Sequence, residues 1–496
     1  MLKHQSRITS HGKRQLELQM VYPLSRSEKR KRYEIDLYMF NPYQLGITRE
    51  RYGSAGFLRD MHSYTRYETA MISLAKLADP ACDLSPLTRI FDMLKDASMA
   101  RDINEKALLH ELRGLSSMYH GQLSETRLVL TTLLESGACT EDVRASLAPF
   151  LHDVDIFLER FHALRPLFID PRLRADSRLA LDWADESISL TNEKTFIRLY
   201  ELLRQSPGLA EVTSAVREQL TREQQYRRDH HYPTVADAAG PGANEYYLYR
   251  DGQLKKWMEA FMFMSCDPAN TLTRIAQIFM GVAAGAAMGF AVLATVFASR
   301  LFADYSVPWA IMIIMAYIVK DRIKDIMRNA MIAFLPKLVA DQINDLIDPA
   351  NNVKVGVTRA RVRFCAPGDA PEVVQQLRRR QANPFTEMIP PENVIHFHKD
   401  VYIDSARFMR SHRRLEALAD IMRFKLDAWL DNMDDPVSSL PRLNGEAVEH
   451  VPAKRVYHIN LIVGLAEQGR DGVPTYFRYR LILTREGIVR IEEVAT

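Results

Sequence analysis

A short polar cluster, His396-Phe397-His398-Lys399-Asp400, is the part of the sequence best suited to chemistry. It lies in an alternating segment, 394–403, that is typical of a β-strand. Because alternate residues of a strand share one face, His396, His398 and Asp400 are expected to project together. Imidazole and carboxylate groups are ligands for zinc or iron. The cluster therefore indicates a metal site as one hypothesis and a polar strand face as the other.

The spacing of this cluster resembles part of the HxHxDH motif of metallo-β-lactamase-like hydrolases. The resemblance covers five residues, and Val401 stands where that motif has its last histidine. It implies a metal-dependent hydrolase. No phosphate-binding loop, dinucleotide fingerprint or nucleophile elbow accompanies it. We therefore assign no catalytic, cofactor-binding or metal-binding residue from the sequence, and we favour a protein that is not an enzyme.

Two uncharged apolar segments in the middle of the chain indicate its class. Residues 275–299 form a run of 25 without Asp, Glu, Lys or Arg, and 305–319 form a run of 15. A helix needs roughly 20 apolar residues to cross a bilayer core about 30 Å thick. The second run is short, but Trp309 and Tyr317 suit interfacial anchors and Lys320 can extend it by snorkelling. We predict a transmembrane hairpin over 270–320.

Charge and cysteine usage suggest where such a hairpin would reside. Basic residues flank the outer ends of the two runs, whereas the connection holds Arg300 alone, so both termini are expected in the cytoplasm. The N-terminus has no signal-peptide pattern, the four cysteines form no CxxC pair, and no Asn-x-Ser/Thr occurs. A net charge of +3 is too small to indicate nucleic acid. We predict a multi-pass protein of the bacterial inner membrane.

Three glycines, Gly281, Gly285 and Gly289, recur on one face of the first apolar run. Small residues at every fourth position let another helix approach closely in lipid. Two interpretations are open: packing against the second run of the same chain, or a homo-oligomer interface. A pore is disfavoured because neither run has an internal acid or base.

The rest of the chain divides into segments of different character. We predict an N-terminal β-hairpin region over 1–54, a cytosolic helical domain over 55–230, a linker and interfacial helix over 231–265, a juxtamembrane helix over 321–350 and a cytosolic α+β domain over 351–496. Segments 16–22 and 32–40 are predicted to form a β-hairpin or two strands of a sheet, and Asn104 is a predicted helix N-cap. In the last segment we predict strands at 353–364, 394–403, 455–465, 475–484 and 488–491, and one long helix at 405–433.

The fold class predicted from these observations is a mainly α membrane protein. A two-helix transmembrane hairpin would lie between an N-terminal strand-plus-helical-bundle region and a C-terminal α+β domain. Expected partners are the lipid bilayer, a cytosolic protein and a second copy through the three glycines, but no nucleic acid. The favoured function is an integral membrane protein with partner-binding or sensory domains. The alternatives are a membrane-tethered metal-dependent hydrolase using His396, His398 and Asp400, and an oligomeric hairpin that remodels the membrane.

Overall fold

The computed structural model places strands and helices along most of the chain. It describes residues 6–24, 29–69, 72–99, 104–136, 140–206, 208–235, 242–268, 271–303, 306–338, 340–348, 352–380, 392–412, 414–467 and 474–494. Of these described residues, 52% are helical and 30% are in strands, and the strands form large sheets. The predicted mainly α fold class is therefore wrong, because strands from both ends of the chain assemble into sheets that local sequence patterns do not reveal.

The elements are numbered separately as strands and helices. The strands are β1 (Ser6–Ser10), β2 (Gln15–Pro23), β3 (Lys31–Pro42), β4 (Met61–Thr69), β5 (Ser265–Pro268), β6 (Gln342–Asp348), β7 (Val353–Cys365), β8 (Glu392–Ile403), β9 (Leu415–Lys425), β10 (Val437–Asn444), β11 (Ala447–Lys454), β12 (Tyr457–Glu467), β13 (Thr475–Thr484) and β14 (Gly487–Val494). The helices are α1 (Gly53–Asp60), α2 (Leu74–Ala78), α3 (Pro86–Met99), α4 (Glu105–Glu135), α5 (Thr140–His162), α6 (Ala175–Leu203), α7 (Ala210–Asp229), α8 (Ala243–Glu259), α9 (Thr271–Leu301), α10 (Val307–Leu338), α11 (Glu372–Arg379), α12 (Ser405–Ser411) and α13 (Asp427–Leu430).

Two antiparallel sheets pack face to face. The larger has eight strands in the order β14-β13-β12-β3-β8-β7-β6-β5, and the smaller has four in the order β1-β2-β9-β4. Burial alternates along β2 and β8, because every second side chain points into the space between the sheets. One continuous apolar core fills that space. Its fully buried members include Leu37 on β3, Phe397 on β8 and Met422 on β9. The outer face of the larger sheet carries polar side chains beside a small apolar cluster that packs under α11.

The pairing of the N-terminal strands differs from the predicted hairpin. Both strands form, but β2 pairs with β9 and β3 lies between β12 and β8. The hairpin of 16–22 with 32–40 is therefore wrong, and the two segments belong to opposite sheets. The predicted long helix 405–433 is wrong, because helix occurs only over Ser405–Ser411 and Asp427–Leu430, and Leu415–Lys425 between them forms an inner strand of the smaller sheet. The predicted hairpin of 455–465 with 475–484 is confirmed as β12 and β13.

Helices α2 to α8 surround a second apolar core, which is separate from the sheet core. The predicted N-cap is confirmed, because the Asn104 side chain accepts a hydrogen bond from the Ala107 amide at 3.1 Å. Glu111 of α4 joins this helical unit to the sheets. It is 3% exposed and bonds both Arg89 of α3, at 2.6 Å, and Arg414 beside β9. A buried carboxylate thus links the two cores.

Helices α9 and α10 form an antiparallel pair, and they correct the membrane prediction. Within the described residues one helix, over Gln277–Leu301, is long and apolar enough to cross a bilayer. Helix α10 starts at Val307 and meets its first charge at Lys320, after an apolar length of about 20 Å. The indole Nε1 of Trp309 donates to Ser299 Oγ at 3.1 Å, so the helices run side by side from their connection. The charged half of α10 therefore lies level with the middle of α9.

This arrangement does not support a two-helix transmembrane hairpin. Asp321 and Asp325 of α10 are exposed, so a bilayer that enclosed both helices would have to accommodate their carboxylates. The predicted multi-pass protein of the inner membrane, with both termini in the cytoplasm, is therefore wrong. The prediction of a second span over 305–319 is wrong because α10 has only 13 residues before its first charge, too few to cross a bilayer core.

The face of α9 that packs on α10 is lined by alanine. Ala283, Ala287 and Ala298 are buried there, while a Cβ added at Gly281, Gly285 or Gly289 would meet nothing within 4 Å. The glycines lie about 200° around the helix from the buried alanines. The interpretation in which the glycines pack against the chain's own second helix is therefore wrong. The homo-oligomer interface through the glycines stays a prediction.

Candidate metal centre

The histidines singled out in the sequence lie in the middle of the larger sheet, on its outer face. His396 and His398 are on β8, whose inward-facing neighbours Phe397 and Lys399 are buried between the sheets. Strand β3 runs antiparallel beside β8, with Asp36 opposite His398 and Tyr38 opposite His396. Directly opposed residues on adjacent strands have Cβ atoms about 4.5–5.5 Å apart. The register therefore brings a carboxylate from β3 up against both imidazoles.

The three side chains converge on one oxygen atom. His396 Nε2 lies 2.7 Å from Asp36 Oδ1, and His398 Nδ1 lies 2.9 Å from the same atom. One ligand atom from each residue lies within 4.8 Å of the other two. The side chains are 22%, 27% and 30% exposed for His396, His398 and Asp36, so the cluster is reachable from solvent. Within the described part of the chain, this is the one group of three such ligands that the geometry brings together.

Asp400 does not complete this group in the predicted way. Its Oδ1 accepts hydrogen bonds from Arg32 Nη2 at 2.6 Å and Nε at 2.9 Å, and its Oδ2 lies 3.4 Å from His398 Nε2. The Asp400 carboxylate is thus directed mainly to Arg32, whereas Asp36 lies within hydrogen-bond distance of both histidines. Asp36, and not Asp400, completes the group of three. The one signal for Asp36 in the sequence is the alternation of 32–40, which is typical of a strand.

The electrostatics of the cluster are those of a carboxylate held by two donors. Burial pushes the pKa of the Asp36 carboxyl upward, but the hydrogen bonds from His396 and His398 outweigh it and lower that pKa to about 2. The hydrogen bond to Asp36 raises the pKa of His398 against the opposing effect of burial. Without a metal, the arrangement therefore favours an ionised Asp36 beside a protonated His398.

Aromatic rings position the cluster from either side. Tyr38 stacks on His396 with ring centroids 4.3 Å apart and an interplanar angle of 2°. On the far side of β3, Gly464 lies opposite Asp36, and a Cβ there would come within 2.9 Å of the Tyr476 ring. The absence of a side chain at Gly464 thus lets Tyr476 lie over the strand next to Asp36. Burial, and then the charge of Asp36, raise the pKa of both tyrosines, which stay protonated donors at neutral pH.

The donor set is suited to a transition metal. Two imidazoles and one carboxylate bind zinc, and the same set with open positions is typical of non-haem iron sites. A metal ion holds its nitrogen ligands at about 2.0–2.1 Å, so small rotations of the three side chains would bring them around one ion. The described cysteines, Cys82, Cys266 and Cys365, are free thiols. None of them belongs to the group of Asp36, His396 and His398, which offers nitrogen and oxygen ligands alone.

Comparisons with known proteins do not assign this site. No protein-family model, no curated protein and no solved structure matches the chain. The metallo-β-lactamase-like resemblance of residues 396–400 thus has no support from overall similarity.

Proposed function

We propose that the protein binds a divalent transition-metal ion at Asp36, His396 and His398. The observation that supports this proposal is the convergence of three ligand atoms from two paired strands within 4.8 Å of one another. The rigid centre of an eight-stranded sheet suits such a site, since ligands on strands keep their geometry better than ligands on loops. Three protein ligands leave positions for water or a substrate atom, as in hydrolytic zinc sites.

Metal binding at this site has to displace protons. His398 and His396 can ligate only as neutral imidazoles, and the hydrogen bond to Asp36 raises the pKa of His398. Metal affinity is therefore expected to rise with pH, through the range in which His398 loses its proton. Because protons compete with the metal for the imidazole nitrogens, the site is expected to bind metal more weakly in mildly acidic solution.

Metal analysis of the purified full-length protein tests the proposal. After incubation with Zn²⁺ and removal of free metal, the wild type is expected to retain about one ion per chain. Asp36→Asn and His398→Ala are expected to lower Zn²⁺ affinity by at least about tenfold. Asp400→Asn is the matched control, because it changes a neighbouring carboxylate that Arg32 already holds. Loss of metal in Asp400→Asn with retention in Asp36→Asn would contradict this ligand assignment, and a metal-free wild type would contradict the site.

We also propose that α9 attaches the protein to a lipid bilayer. The supporting observation is its apolar surface: within Gln277–Leu301, 11% of the most apolar window is buried inside the protein. Leu293 is 71% exposed and Phe297 is 58% exposed. We expect the apolar surface of α9 to lie in the lipid and the charged half of α10 to face water, as the two faces of an interfacial helix do. This arrangement differs from the predicted hairpin in leaving Asp321 and Asp325 outside the apolar layer.

Membrane fractionation tests this attachment. The wild type is expected in the membrane pellet after alkaline carbonate extraction and to be released by detergent. The double variant Leu293→Lys/Phe297→Lys is expected to move towards the supernatant, because each lysine carries charge into lipid. Asp325→Lys on the charged half of α10 is the control and is expected to stay in the pellet. A wild-type chain that stays in the supernatant without detergent would overturn the proposal.

A further inference from the structure

A cavity of about 440 Å³ lies at the edge of β7, beside α1 and the loop before it. Strand β6 pairs with β7 only as far as Gln342 opposite Ala360. The following residues of β7 therefore have an open edge, and the cavity occupies it. Its lining includes Arg49, Ser54, Asp341, Arg361 and Arg363.

Three arginines surround this one cavity. Arg361 and Arg363 are two residues apart on β7 and share a face, while Arg49 comes from the loop between β3 and α1. Guanidinium groups that line one cavity repel one another, and an anion bound among them relieves that repulsion. Their planar forks of N–H donors match phosphate oxygens.

Neutral hydrogen-bond donors lie beside these positively charged side chains. Ser54 is the second residue of α1, at the end where helix amides lack partners inside the helix. The amide of Phe364 points to the same open edge as the amide of Val362, by the two-residue period of the strand. Backbone and hydroxyl donors thus join the guanidinium groups around a single volume.

The acid in the lining is already engaged. The amide of Val362 donates to Asp341 Oδ2 at 2.7 Å, which caps the strand where β6 ends. Asp341 is therefore held at the rim, and among the described lining residues its single carboxylate is set against the guanidinium groups of Arg49 and Arg363. These two arginines alone outnumber the carboxylate, so the lining suits an anion.

We propose that this cavity binds a phosphate group. Two sources share that chemistry, a phospholipid headgroup and a soluble phosphate compound. The position of Asp341, directly after α10, places the cavity at the junction between the sheets and the apolar helix pair. None of the three metal ligands lines the cavity, but Arg361 and Arg363 lie opposite His398 and His396 on β8, so the inference is tested without metal.

The test uses full-length protein in detergent, with EDTA to remove metal, titrated with inorganic phosphate and with pyrophosphate. In a second arm, vesicles of phosphatidylcholine are compared with vesicles that also contain phosphatidic acid. Arg363→Gln and, separately, Arg49→Gln are expected to weaken phosphate-dependent binding by about tenfold or more. Arg359→Gln is the matched control, since Arg359 lies on the same face of β7 but outside the cavity and stacks on Tyr402.

The two arms separate the sources. Binding of pyrophosphate that Arg363→Gln weakens and Arg359→Gln leaves unchanged supports a soluble phosphate ligand. The same pattern with phosphatidic acid vesicles alone supports a headgroup. Binding in neither arm, or equal weakening by Arg359→Gln, would overturn the proposal. Because Arg49 lies on an exposed loop, its variant tests the cavity even where Arg363→Gln disturbs the strand.

Discussion

Replacing Asp36 by asparagine should remove a stabilising charge in a pH-dependent way. The pKa of Asp36 is about 2 in the folded protein, against about 3.9 for an unfolded aspartate. A carboxyl group whose pKa is lower in the folded than in the unfolded protein stabilises the fold at pH values above its unfolded-state pKa. This stabilisation is lost as the pH falls through its folded-state pKa. The difference in pKa corresponds to about 2.6 kcal/mol in the free energy of unfolding, of which about 2 kcal/mol is lost between pH 5 and pH 2.

Asparagine resembles the protonated carboxyl, so the variant lacks this contribution at every pH. The wild type is expected to be more stable than Asp36→Asn at pH 5. The difference between their free energies of unfolding is expected to shrink by about 2 kcal/mol as the pH falls from 5 to 2. Urea unfolding of the sheets can be followed by the fluorescence of Trp429, which is fully buried in their core. The other tryptophans, Trp183, Trp257 and Trp309, would be replaced by phenylalanine in both proteins.

The control is Asp400→Asn, which keeps Asp36 and its two histidines. Its gap to the wild type is expected to lack the narrowing of about 2 kcal/mol that is assigned to Asp36. A gap between the wild type and Asp36→Asn that stays constant from pH 5 to pH 2 would refute the argument. It would mean that His396 and His398 do not hold Asp36 as the geometry indicates.

Three further predictions concern the framework. Lys399→Met should lower the free energy of unfolding by about 3–5 kcal/mol, because it leaves the buried Asp420 without its charged partner. The Asp420 side chain is 1% exposed and lies 2.5 Å from the Lys399 Nζ. The double variant Lys399→Met/Asp420→Leu should recover most of that loss. Gly356→Ala should destabilise β7 by about 1–3 kcal/mol in thermal unfolding, because a Cβ there would lie 2.5 Å from a backbone carbonyl of β8; an unchanged midpoint would contradict this. Glu111→Gln should weaken the link to Arg414 and increase protease cleavage between the helical unit and the sheets, whereas equal cleavage rates would show that the link is dispensable.

The candidate site was partly accessible from the sequence. The alternation of 394–403 correctly predicted a strand and placed His396 and His398 on one face. It could not identify the third ligand, because that residue comes from a strand more than 350 positions away in the chain. The choice between Asp400 and Asp36 depends on which strand pairs with β8, and the spacing within β8 carries no information about its partner.

The same division holds for the fold. The sequence by itself determined the local elements with strong periodicity, such as the β12–β13 hairpin, the N-cap at Asn104 and the exposed apolar run of α9. Only the tertiary structure decided that Leu415–Lys425 is a strand, that both ends of the chain share two sheets, and that α10 brings charge alongside α9. Local periodicity follows from the geometry of one element, whereas strand order, ligand convergence and the surroundings of a helix depend on contacts between residues far apart in the chain.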